Sequence, residues 1–292
     1  MNSYIYALGF FDGVHLGHQA LLRYAVILSG TRFTPGAVTF ATHPQTLVQG
    51  DAPGLINTLS DREALLRRFG VERVVVLPFD EEVRSLPWDA FLETLIREYG
   101  AAGFVCGRDF RFGFRGEGNA QRLQDFCRER ELPFAAVPEQ CVDGLRVSSS
   151  HIRTLLQSGQ IREVNRFLGH LHTFTGTVVP GQQLGRRLGF PTANLRPDPQ
   201  LVIPRFGVYA CRAHIGSQTH LAVTNIGRRP TVEGDHVTIE PWLLDFHGNL
   251  YGKEITLEFL DFLRPEEKFP SLEDLKAQIL RDAQITRQRF TP

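Results

Sequence analysis

Two histidines near the start of the chain have the types and spacing of a phosphate-binding pair. His15 and His18 lie three residues apart and follow a glycine-containing turn, Gly9 to Gly13. On the first turn of a helix they would share one face, where two imidazoles could donate hydrogen bonds to phosphate oxygens as negative charge develops. A solvated or helix-capping pair is the alternative. The spacing favours a site for a nucleotide triphosphate.

The residues on either side of this turn predict the elements that position the histidines. Tyr4 to Leu8 is aromatic, β-branched or apolar and predicts a buried strand, and the apolar run from Ala20 predicts the start of a helix. A helix N-terminus carries unpaired N–H groups and partial positive charge, and glycine lets a phosphate come close to the backbone. The predicted strand, turn and helix start therefore form a suitable binding site for an anion.

A second glycine-rich segment, residues 181–194, combines arginines with hydroxyl and amide side chains. Arg186, Arg187 and backbone N–H groups could surround phosphates, while Thr192 and Asn194 offer the oxygen ligands that Mg²⁺ prefers. The chain contains no Walker P-loop and no protein-kinase signature. By residue type alone, a β-hairpin with a basic tip is an equal alternative.

Three further segments contain candidate residues. Residues 107–113 alternate arginine with phenylalanine, which by residue type alone suits a packed loop with solvated charges. The serines of residues 148–150, followed by Arg153, could cap a helix that begins at Ile152. Glu240 lies among apolar strand residues and is either an edge-strand surface charge or a positioned base.

The first half of the chain predicts an α/β domain with a parallel, Rossmann-like sheet, because short apolar strands alternate with amphipathic helices. Ser60 with Glu63 predicts a capping box at one helix start. Open sheets of this kind bind ligands at the carboxyl ends of their strands, so the motifs after the first, second and fourth strands should meet in one crevice. The predicted strands are Tyr4–Leu8, Ala37–Phe40, Arg73–Leu77, Gly103–Cys106 and Phe134–Val137.

The pattern changes near residue 172 to strands and turns, which predicts a small antiparallel β-barrel closed by one terminal helix. We therefore expect domains at 1–172 and 173–292. Ser271 with Asp274 should cap the terminal helix. Its predicted apolar stripe consists of Leu272, Leu275, Ile279 and Leu280. The predicted barrel strands are Val208–His214, His220–Asn225, Val237–Leu244 and Glu254–Phe262, with the first strand starting at Thr173.

Composition limits the classes of partner. The 292 residues suit roughly two domains of about 150 residues, and Lys plus Arg equals Asp plus Glu at 32 each. A chain without net charge has no overall field to attract polyanions, which argues against nucleic acid and an anionic membrane as partners. The four cysteines are far apart, which argues against zinc and a disulfide framework. No signal peptide or membrane-length apolar run occurs, so we expect a cytoplasmic protein.

The first motif resembles the G-x-F-D-G-x-H-x-G-H signature of the nucleotidylyltransferase superfamily, particularly the FMN adenylyltransferase half of bacterial bifunctional riboflavin kinase/FAD synthetases. The resemblance implies that His15 and His18 are catalytic and stabilise the ATP phosphates while a phosphate nucleophile attacks the α-phosphorus and pyrophosphate leaves. Phe10 departs from the family, which usually has a smaller or polar residue there. The implied ATP-binding residues are Gly9, Phe11, Asp12, Gly13, His15, His18, Ser148, Ser149, Ser150 and Arg153.

Two later segments also resemble this half of the family. Residues 107–113 match Gly-x-Asp-Phe-x-Phe-Gly, and the implied flavin-binding residues are Asp109, Phe110 and Phe112. Residues 39–44 are similar to Thr-Phe-Asp-x-His-Pro, from which Ala41 and Thr42 depart.

The second half resembles riboflavin kinase through its G-R-x-L-G-F-P-T-A-N string at residues 185–194. Glu240 lies in a segment similar to Glu-x-His-Leu-Leu-Asp-Phe and is the implied general base for the ribityl 5′-hydroxyl, while Trp242 and Asn249 depart from the family. The implied ATP- and Mg²⁺-binding residues are Gly185, Arg186, Gly189, Thr192 and Asn194, with Thr192 and Asn194 as metal ligands. The implied flavin-binding residues are Asn225, Arg228 and Glu240.

Together the two resemblances imply a bifunctional enzyme of FAD biosynthesis. Its C-terminal domain would phosphorylate riboflavin with ATP to give FMN, and its N-terminal domain would adenylylate FMN to FAD and pyrophosphate, with Mg²⁺ in both steps. Riboflavin, FMN, FAD and ATP would be its small-molecule partners. The alternatives are a riboflavin kinase with an inactive adenylyltransferase domain, favoured by Phe10 and the changed Ala41–Thr42 pair, and a non-catalytic flavin-binding protein.

Overall fold

A five-stranded parallel sheet forms the centre of the first of two units, Met1–Ser149 and Ser150–Pro292. The computed structural model describes residues 3–43, 53–181, 185, 189–231 and 234–291. The described elements of the first unit are β1 (Tyr4–Leu8), α1 (Leu16–Ser29), β2 (Thr34–Phe40), α2 (Leu59–Arg68), β3 (Arg73–Leu77), α3 (Glu81–Ser85), α4 (Trp88–Tyr99), β4 (Ala101–Gly107), β5 (Arg111–Phe112), β6 (Gly118–Asn119), α5 (Ala120–Glu129), β7 (Phe134–Val137), β8 (Cys141–Val142) and β9 (Leu145–Arg146).

The sheet has the order β3-β2-β1-β4-β7, with β1 at its centre. All five predicted strands are confirmed, and β2 and β4 are longer than predicted. Successive residues of β1 face opposite sides, so Tyr6 and Leu8 pack toward α4 and α5 while Ile5 and Ala7 pack toward α1 and α2. Because helices cover both faces, the strand is apolar throughout rather than alternating. This burial fixes the strand that leads into the histidine motif.

Helix α2 is capped by Thr58 and not by the predicted Ser60. Thr58 is extended (φ −65°, ψ 167°), and its hydroxyl accepts the N–H of Asp61 at 3.1 Å. Ser60 lies inside the helix, so it and Glu63 form no capping box. Both serine and threonine suit an N-cap, and the residue that caps is the one whose backbone is still extended.

A closed antiparallel barrel forms the second unit, with the strand order β10-β11-β14-β13-β12-β15 among the described residues. Its elements are α6 (Ser149–Ser158), α7 (Ile161–Leu168), β10 (His172–Val179), β11 (Asn194–Leu195), β12 (Gly207–Ile215), β13 (Gln218–Thr231), β14 (Gly234–Leu243), β15 (Glu254–Arg264) and α8 (Leu272–Phe290). The predicted barrel and its terminal helix are confirmed. The sequence did not predict β11, whose two residues give no periodic signal.

Helix α7 is tied to the barrel by side chains. Arg162 donates from Nε and Nη2 to the carboxylate of Asp261 at 3.1 and 2.6 Å, and Asn165 Nδ2 donates to the carbonyl oxygen of Phe259 at 2.9 Å. Helices α6 and α7 thus fold with the second unit, whereas the functional boundary expected at residue 172 assigns them to the first domain. That boundary stays a prediction about the two activities.

Helix α8 begins as predicted but faces the barrel differently. Ser271 accepts the N–H of Asp274 at 3.1 Å. Leu272 and Leu280 are more than half exposed, at 56% and 54%, so the predicted apolar stripe is wrong for these two residues, whereas its members Leu275 and Ile279 are half-buried. The inward face instead contains Asp282, only 2% exposed, whose carboxylate lies 2.9 Å from Nη2 of Arg264. A buried carboxylate is tolerated there because it is paired and hydrogen-bonded.

Two general features of the described residues bear on partners. The four cysteines are free thiols, and Cys141 is exposed while the other three are buried. Within the described ranges, no group of three or more His, Cys, Asp or Glu side chains could hold a metal ion, and no helix has both the length and the hydropathy needed to cross a membrane.

His172 at the start of β10 predicts acid sensitivity of the barrel. Its side chain is 4% exposed and packs against the ring of Phe259. Burial, reinforced by nearby His170, lowers the pKa of His172 from 6.5 to about 3. The unfolded chain therefore binds a proton below pH 6.5 that the folded chain excludes, so stability is lost as the pH falls from about 6.5 toward 3.

We expect the His172→Gln variant to lose part of this pH dependence. Between pH 7 and pH 4.5 the wild-type free energy of unfolding should fall by roughly 2 to 3 kcal/mol more than that of the variant. Urea unfolding of the full chain at the two pH values measures the difference, with the exposed His247→Gln as control. An equal fall in wild type and His172→Gln would contradict the assignment.

Candidate active sites

His15 and His18 meet at the N-terminus of α1. His15 is extended (φ −65°, ψ 172°) and caps the helix, since its Nδ1 accepts the N–H of His18 at 3.3 Å. The helix therefore begins at Leu16, four residues before the predicted Ala20, because this capping bond starts it earlier. The two rings stack with their centroids 3.6 Å apart and their planes within 12°. The predicted pair thus occupies one face.

Electrostatics keep the His18 ring neutral. Burial lowers its pKa well below 6.5, and the neighbouring His15 and the positive charge of Arg62 lower it further. Because Nδ1 of His15 accepts a hydrogen bond, the neutral His15 ring carries its proton on Nε2. Nδ1 of His18 is enclosed and forms no hydrogen bond with the described part of the chain. His18 can therefore offer an N–H donor without carrying charge.

The turn before the histidines holds strained backbone. Phe11 (φ 60°) and Val14 (φ 40°) adopt positive φ angles that side chains with a Cβ rarely take, and Gly13 (φ 81°) lies between them. Such non-glycine positions cost of order 1–3 kcal/mol each and persist when the surroundings hold them.

Hydrogen bonds from distant segments hold this turn. Asp12 Oδ1 accepts the N–H of Ile56 at 2.9 Å, and the N–H of Gly13 donates to Oδ1 of Asn57 at 3.2 Å. The Ser149 hydroxyl donates to the carbonyl oxygen of Asp12 at 2.9 Å. Asp12 and Gly13, predicted ATP-binding residues, thus also maintain the loop. Ile56 and Asn57 have no local sequence signal, because they lie more than forty residues away from the turn.

Arg62 of α2 is fully buried beneath the site. Its Nη1 donates to the carbonyl oxygens of Phe10 and Phe40 at 2.9 and 3.1 Å and to Oγ1 of Thr39 at 3.1 Å. Its guanidinium also lies 4.2 Å from the centroid of the Phe10 ring, and Phe10 contacts His43 edge-on at 4.6 Å. Arg62 therefore joins the carboxyl ends of β1 and β2 and gives the unusual Phe10 a structural partner.

Sequence reasoning missed Arg62, although a weak signal existed. Arg62 shares a helix face with the buried Leu65 and Leu66 at positions i+3 and i+4. An arginine on the apolar face of a helix needs buried acceptors.

A pocket of about 390 Å³ opens beside the histidine pair. Its lining includes these predicted residues: Gly9, His15, His18, Asp109, Phe110, Ser148 and Ser149. Phe11, Asp12 and Gly13 do not line it and are buried behind it. The expected convergence is therefore observed for the motifs after β1 and β4, and Phe40 at the end of β2 lines the same pocket.

The predicted serine and arginine partners are divided between the two units. Helix α6 begins at Ser149 rather than at the predicted Ile152, so Ser149 is already helical. Ser150 and Arg153 lie in the second unit, and their part in ATP binding stays a prediction.

Arg146 of β9 is a further pocket residue that sequence reasoning missed. Its guanidinium pairs with Asp109, and its Nη2 lies 3.1 Å from Oε1 of Glu139. Arg146 and Glu139 both line the histidine pocket. Arg146 thus holds the carboxylate of Asp109. The sequence did not reveal this pair because Arg146 belongs to no motif.

A second pocket, of about 360 Å³, is aromatic and adjoins the first. Its phenylalanines are Phe40, Phe79, Phe91, Phe110, Phe112 and Phe114. Phe110 and Phe112 stack with their ring centroids 5.5 Å apart. Phe40, Phe110 and Arg111 line both pockets. Two of the three predicted flavin residues therefore belong to an apolar cavity suited to a flat ring, whereas Asp109 lines the histidine pocket.

In the barrel, Glu240 lies in a row of polar side chains across three strands. Glu240 of β14 is buried, with 9% exposure, and pairs with Asn225 of β13. Leu195 of β11 pairs with Ile239, so the preceding Asn194 stands opposite Glu240 on its other side. The strand assignment predicted for Glu240 is confirmed, and burial distinguishes it from an ordinary surface charge.

The described part of the glycine-rich segment approaches this row closely. Thr192 forms a bridge with Trp242, whose ring contacts Phe190 edge-on at 4.9 Å. A Cβ on Gly181 would clash with the side chain of Asn194, so any other residue there would force that side chain to move. Trp242, a departure from the family, thus helps to hold the segment against the barrel.

Only some of the other predicted kinase residues are described by the structure. Gly189 has φ +90°, a conformation that favours glycine. Arg186 and Arg187 lie outside the described residues, as does Pro44 of the first-half segment 39–44. The guanidinium of Arg228 lies 5.3 Å from the Phe206 ring centroid. Asn225 Nδ2 donates to Oε1 of Glu266 at 3.3 Å, a carboxylate that sequence reasoning missed because it is distant in the chain.

Gly185 lies close to Phe190 and Thr192 of the same glycine-rich segment. A Cβ there would lie 2.5 Å from the carbonyl oxygen of Phe190 and 3.1 Å from Oγ1 of Thr192. The predicted residues Gly185, Thr192 and Asn194 therefore lie together beside Glu240 on the barrel.

Comparisons with known proteins agree with this geometry. The FAD synthetase family model matches residues 1–151, and the riboflavin kinase family model matches residues 168–290. A bifunctional riboflavin kinase/FMN adenylyltransferase from Listeria monocytogenes is 35% identical over 290 residues, which cover 98% of this chain and 92% of the relative. The protein of the same description from Haemophilus influenzae is 36% identical over 287 residues, with 97% and 93% covered.

A solved structure has the same fold over nearly the whole chain. The crystal structure described as a macrolide-efflux protein from Streptococcus pneumoniae superposes with a TM-score of 0.90 at 30% identity, covering 98% of this chain and 94% of that one. Two family models in succession and relatives above 30% identity over almost the full length decide the assignment. This chain belongs to the bifunctional riboflavin kinase/FMN adenylyltransferase family.

Proposed function

We propose that this chain catalyses both steps from riboflavin to FAD. Residues 173–292 transfer the γ-phosphoryl group of ATP to riboflavin, giving FMN and ADP, and residues 1–172 join FMN to the AMP portion of ATP, giving FAD and pyrophosphate. The observation that carries the proposal is that each half matches its own family model and has its own polar site. The substrates are riboflavin, FMN and ATP, and we place the enzyme in the cytoplasm, where ATP is available.

In the adenylyltransferase site, the histidine pocket would take ATP and the aromatic pocket the isoalloxazine ring. An FMN phosphate oxygen attacks the α-phosphorus, a new P–O–P link forms, and the bond to the β-phosphate oxygen breaks. His15 and His18 would donate N–H groups to the phosphate oxygens, aided by the N-terminus of α1. Ser148, Ser149, Ser150 and Arg153 would bind the triphosphate and the departing pyrophosphate.

In the kinase site, Glu240 would accept the proton of the ribityl 5′-hydroxyl as its oxygen attacks the γ-phosphorus. Its burial beside Asn194 and Asn225 supports this role, because a base must be held at its substrate. Asn225 and Arg228 would orient the flavin, and Gly185, Arg186 and Gly189 would surround the phosphates of ATP.

The donor set beside Glu240 fits Mg²⁺. Thr192 and Asn194 present a hydroxyl and an amide oxygen, the hard ligands that this ion prefers. These two residues would hold the ion, which when bound neutralises charge on the ATP phosphates. We propose the same requirement for Mg²⁺ in the adenylyltransferase step.

One assay tests the proposed function. The purified chain is incubated with riboflavin, ATP and Mg²⁺, and riboflavin, FMN and FAD are separated by chromatography over time. FMN followed by FAD is expected, and chelation with EDTA should stop both. FMN without FAD would favour the kinase-only alternative, and flavin binding without turnover would favour a flavin-binding protein.

The unusual Phe10 was one reason for expecting an inactive first domain. Because the Phe10 ring packs against the guanidinium of Arg62, this residue has a structural role and that reason is removed.

A further inference from the structure

Arg111 lies where the histidine pocket and the aromatic pocket meet. It belongs to the short strand β5 beside Phe112, its side chain is exposed, and it lines both pockets. The other two residues that line both pockets are Phe40 and Phe110. Arg111 is therefore the shared lining residue that carries a charge.

The Arg111 guanidinium has no paired carboxylate in the described part of the chain, unlike two other arginines that line the pockets. Within the described ranges it forms no hydrogen bond or ion pair, whereas Arg146 pairs with Asp109 and Glu139. Arg84 at the aromatic pocket likewise pairs with Glu81, at 2.9 Å. A cation that no protein carboxylate neutralises is available to an anionic ligand.

The chemistry of FMN provides that anion at this location. FMN is a flat aromatic ring system joined through a ribityl chain to a phosphate dianion. If its ring lies among the phenylalanines and the α-phosphate of ATP lies beside the histidines, the FMN phosphate must lie between them, where the two pockets adjoin. A guanidinium binds a phosphate through two parallel N–H···O bonds, a geometry that an ammonium group cannot reproduce.

We propose that Arg111 binds the phosphate of FMN and thereby makes the adenylyltransferase site select the phosphorylated flavin over flavins that lack a phosphate. This inference rests on the proposed function of the two pockets. Arg111 would also orient the nucleophile. By holding two oxygens of the FMN phosphate, the guanidinium directs the third oxygen toward the α-phosphorus of ATP.

The test measures initial rates of FAD formation from FMN and ATP with the full chain. Arg111→Gln is expected to raise KM for FMN by about 10-fold to 100-fold, the loss typical of a hydrogen-bonded charge pair. Arg111→Lys should give an intermediate KM, because it keeps the charge and loses the fork. Arg108→Gln is the matched control: it removes the same charge from an exposed residue three positions away that lines neither pocket, and KM should stay within about twofold of wild type.

A second measurement separates phosphate recognition from damage to the ring pocket. Lumiflavin carries the isoalloxazine ring without a ribityl chain or phosphate, so it probes the ring site alone as a competitive inhibitor of FAD formation. Its inhibition constant should be the same for wild type and Arg111→Gln. Raising the salt concentration should increase KM for FMN more in wild type than in Arg111→Gln, because the lost contact is screened.

The outcomes that overturn the inference are distinct from those that overturn the proposed function. An active wild type with an unchanged KM for FMN in Arg111→Gln overturns the role of Arg111 alone. Weaker inhibition by lumiflavin, in proportion to the change in KM, also overturns it, since Arg111 would then shape the ring pocket. A wild type that forms FMN but no FAD overturns the proposed adenylyltransferase function and this inference with it.

Discussion

Replacing His18 with alanine is expected to lower the rate of FAD formation from FMN by about 10²-fold to 10³-fold, the cost of removing a preorganised donor to a developing charge. His18 lines the histidine pocket and stacks on His15 at 3.6 Å. The substitution removes both the donor and the ring that holds its partner. Riboflavin phosphorylation should continue at the wild-type rate, because the proposed kinase residues lie in the other unit.

Two companion variants sharpen this prediction. His18→Gln retains an N–H donor near the position of the imidazole Nε2 and should recover part of the lost rate. Glu240→Gln provides the reverse control, since it should leave FAD formation from FMN intact. Separate assays of the two half-reactions on the same preparation supply the measurement. Equal loss of both activities in His18→Ala would show that the two sites are not independent.

The elements around the histidine pair could be predicted because their signals are local. Tyr4 to Leu8 is continuously apolar, and the structure buries it between two helical layers. The two histidines meet because a residue that caps a helix lies beside the third residue of that helix, to whose N–H it bonds. Residues this close in the chain determine one another's geometry, so the sequence alone was sufficient here.

The parts that escaped prediction depend on contacts between distant residues. Asn57 supports Gly13 across 44 residues, and Arg62 reaches the carbonyl oxygen of Phe10 across 52. Neither belongs to a motif, and each side chain acquires its partner only after the sheet has formed. The same reason explains the terminal helix, where burial of Asp282 depends on Arg264 of β15.

Chemically equivalent choices account for the remaining errors. Thr58 and Ser60 are both good caps, and the structure uses the first because only its backbone is extended. The two-residue strand β11 is too short to show alternation, yet it brings Asn194 opposite Glu240. Residue types and the family resemblance therefore proposed the kinase residues, and the barrel register was needed to find which of them face each other.

Replacing Glu240 with glutamine should lower the rate of riboflavin phosphorylation by about 10²-fold to 10⁴-fold, the contribution of a positioned general base. Glutamine keeps the size of the side chain and its place in β14 but cannot accept the hydroxyl proton. KM for riboflavin should change little, since an amide still fits beside Asn194 and Asn225. FAD formation from added FMN should be unaffected.

Glu254→Gln is the matched control for this variant, because Glu254 is also a strand glutamate of the same barrel but is exposed. It should phosphorylate riboflavin at the wild-type rate. Measuring kcat against pH separates a base from a structural carboxylate: loss of the acid limb of the wild-type profile in Glu240→Gln is the result expected of a base. If Glu240→Gln makes FMN at the normal rate, the buried carboxylate is structural, and the proton must leave the ribityl hydroxyl by way of solvent as the γ-phosphoryl group transfers.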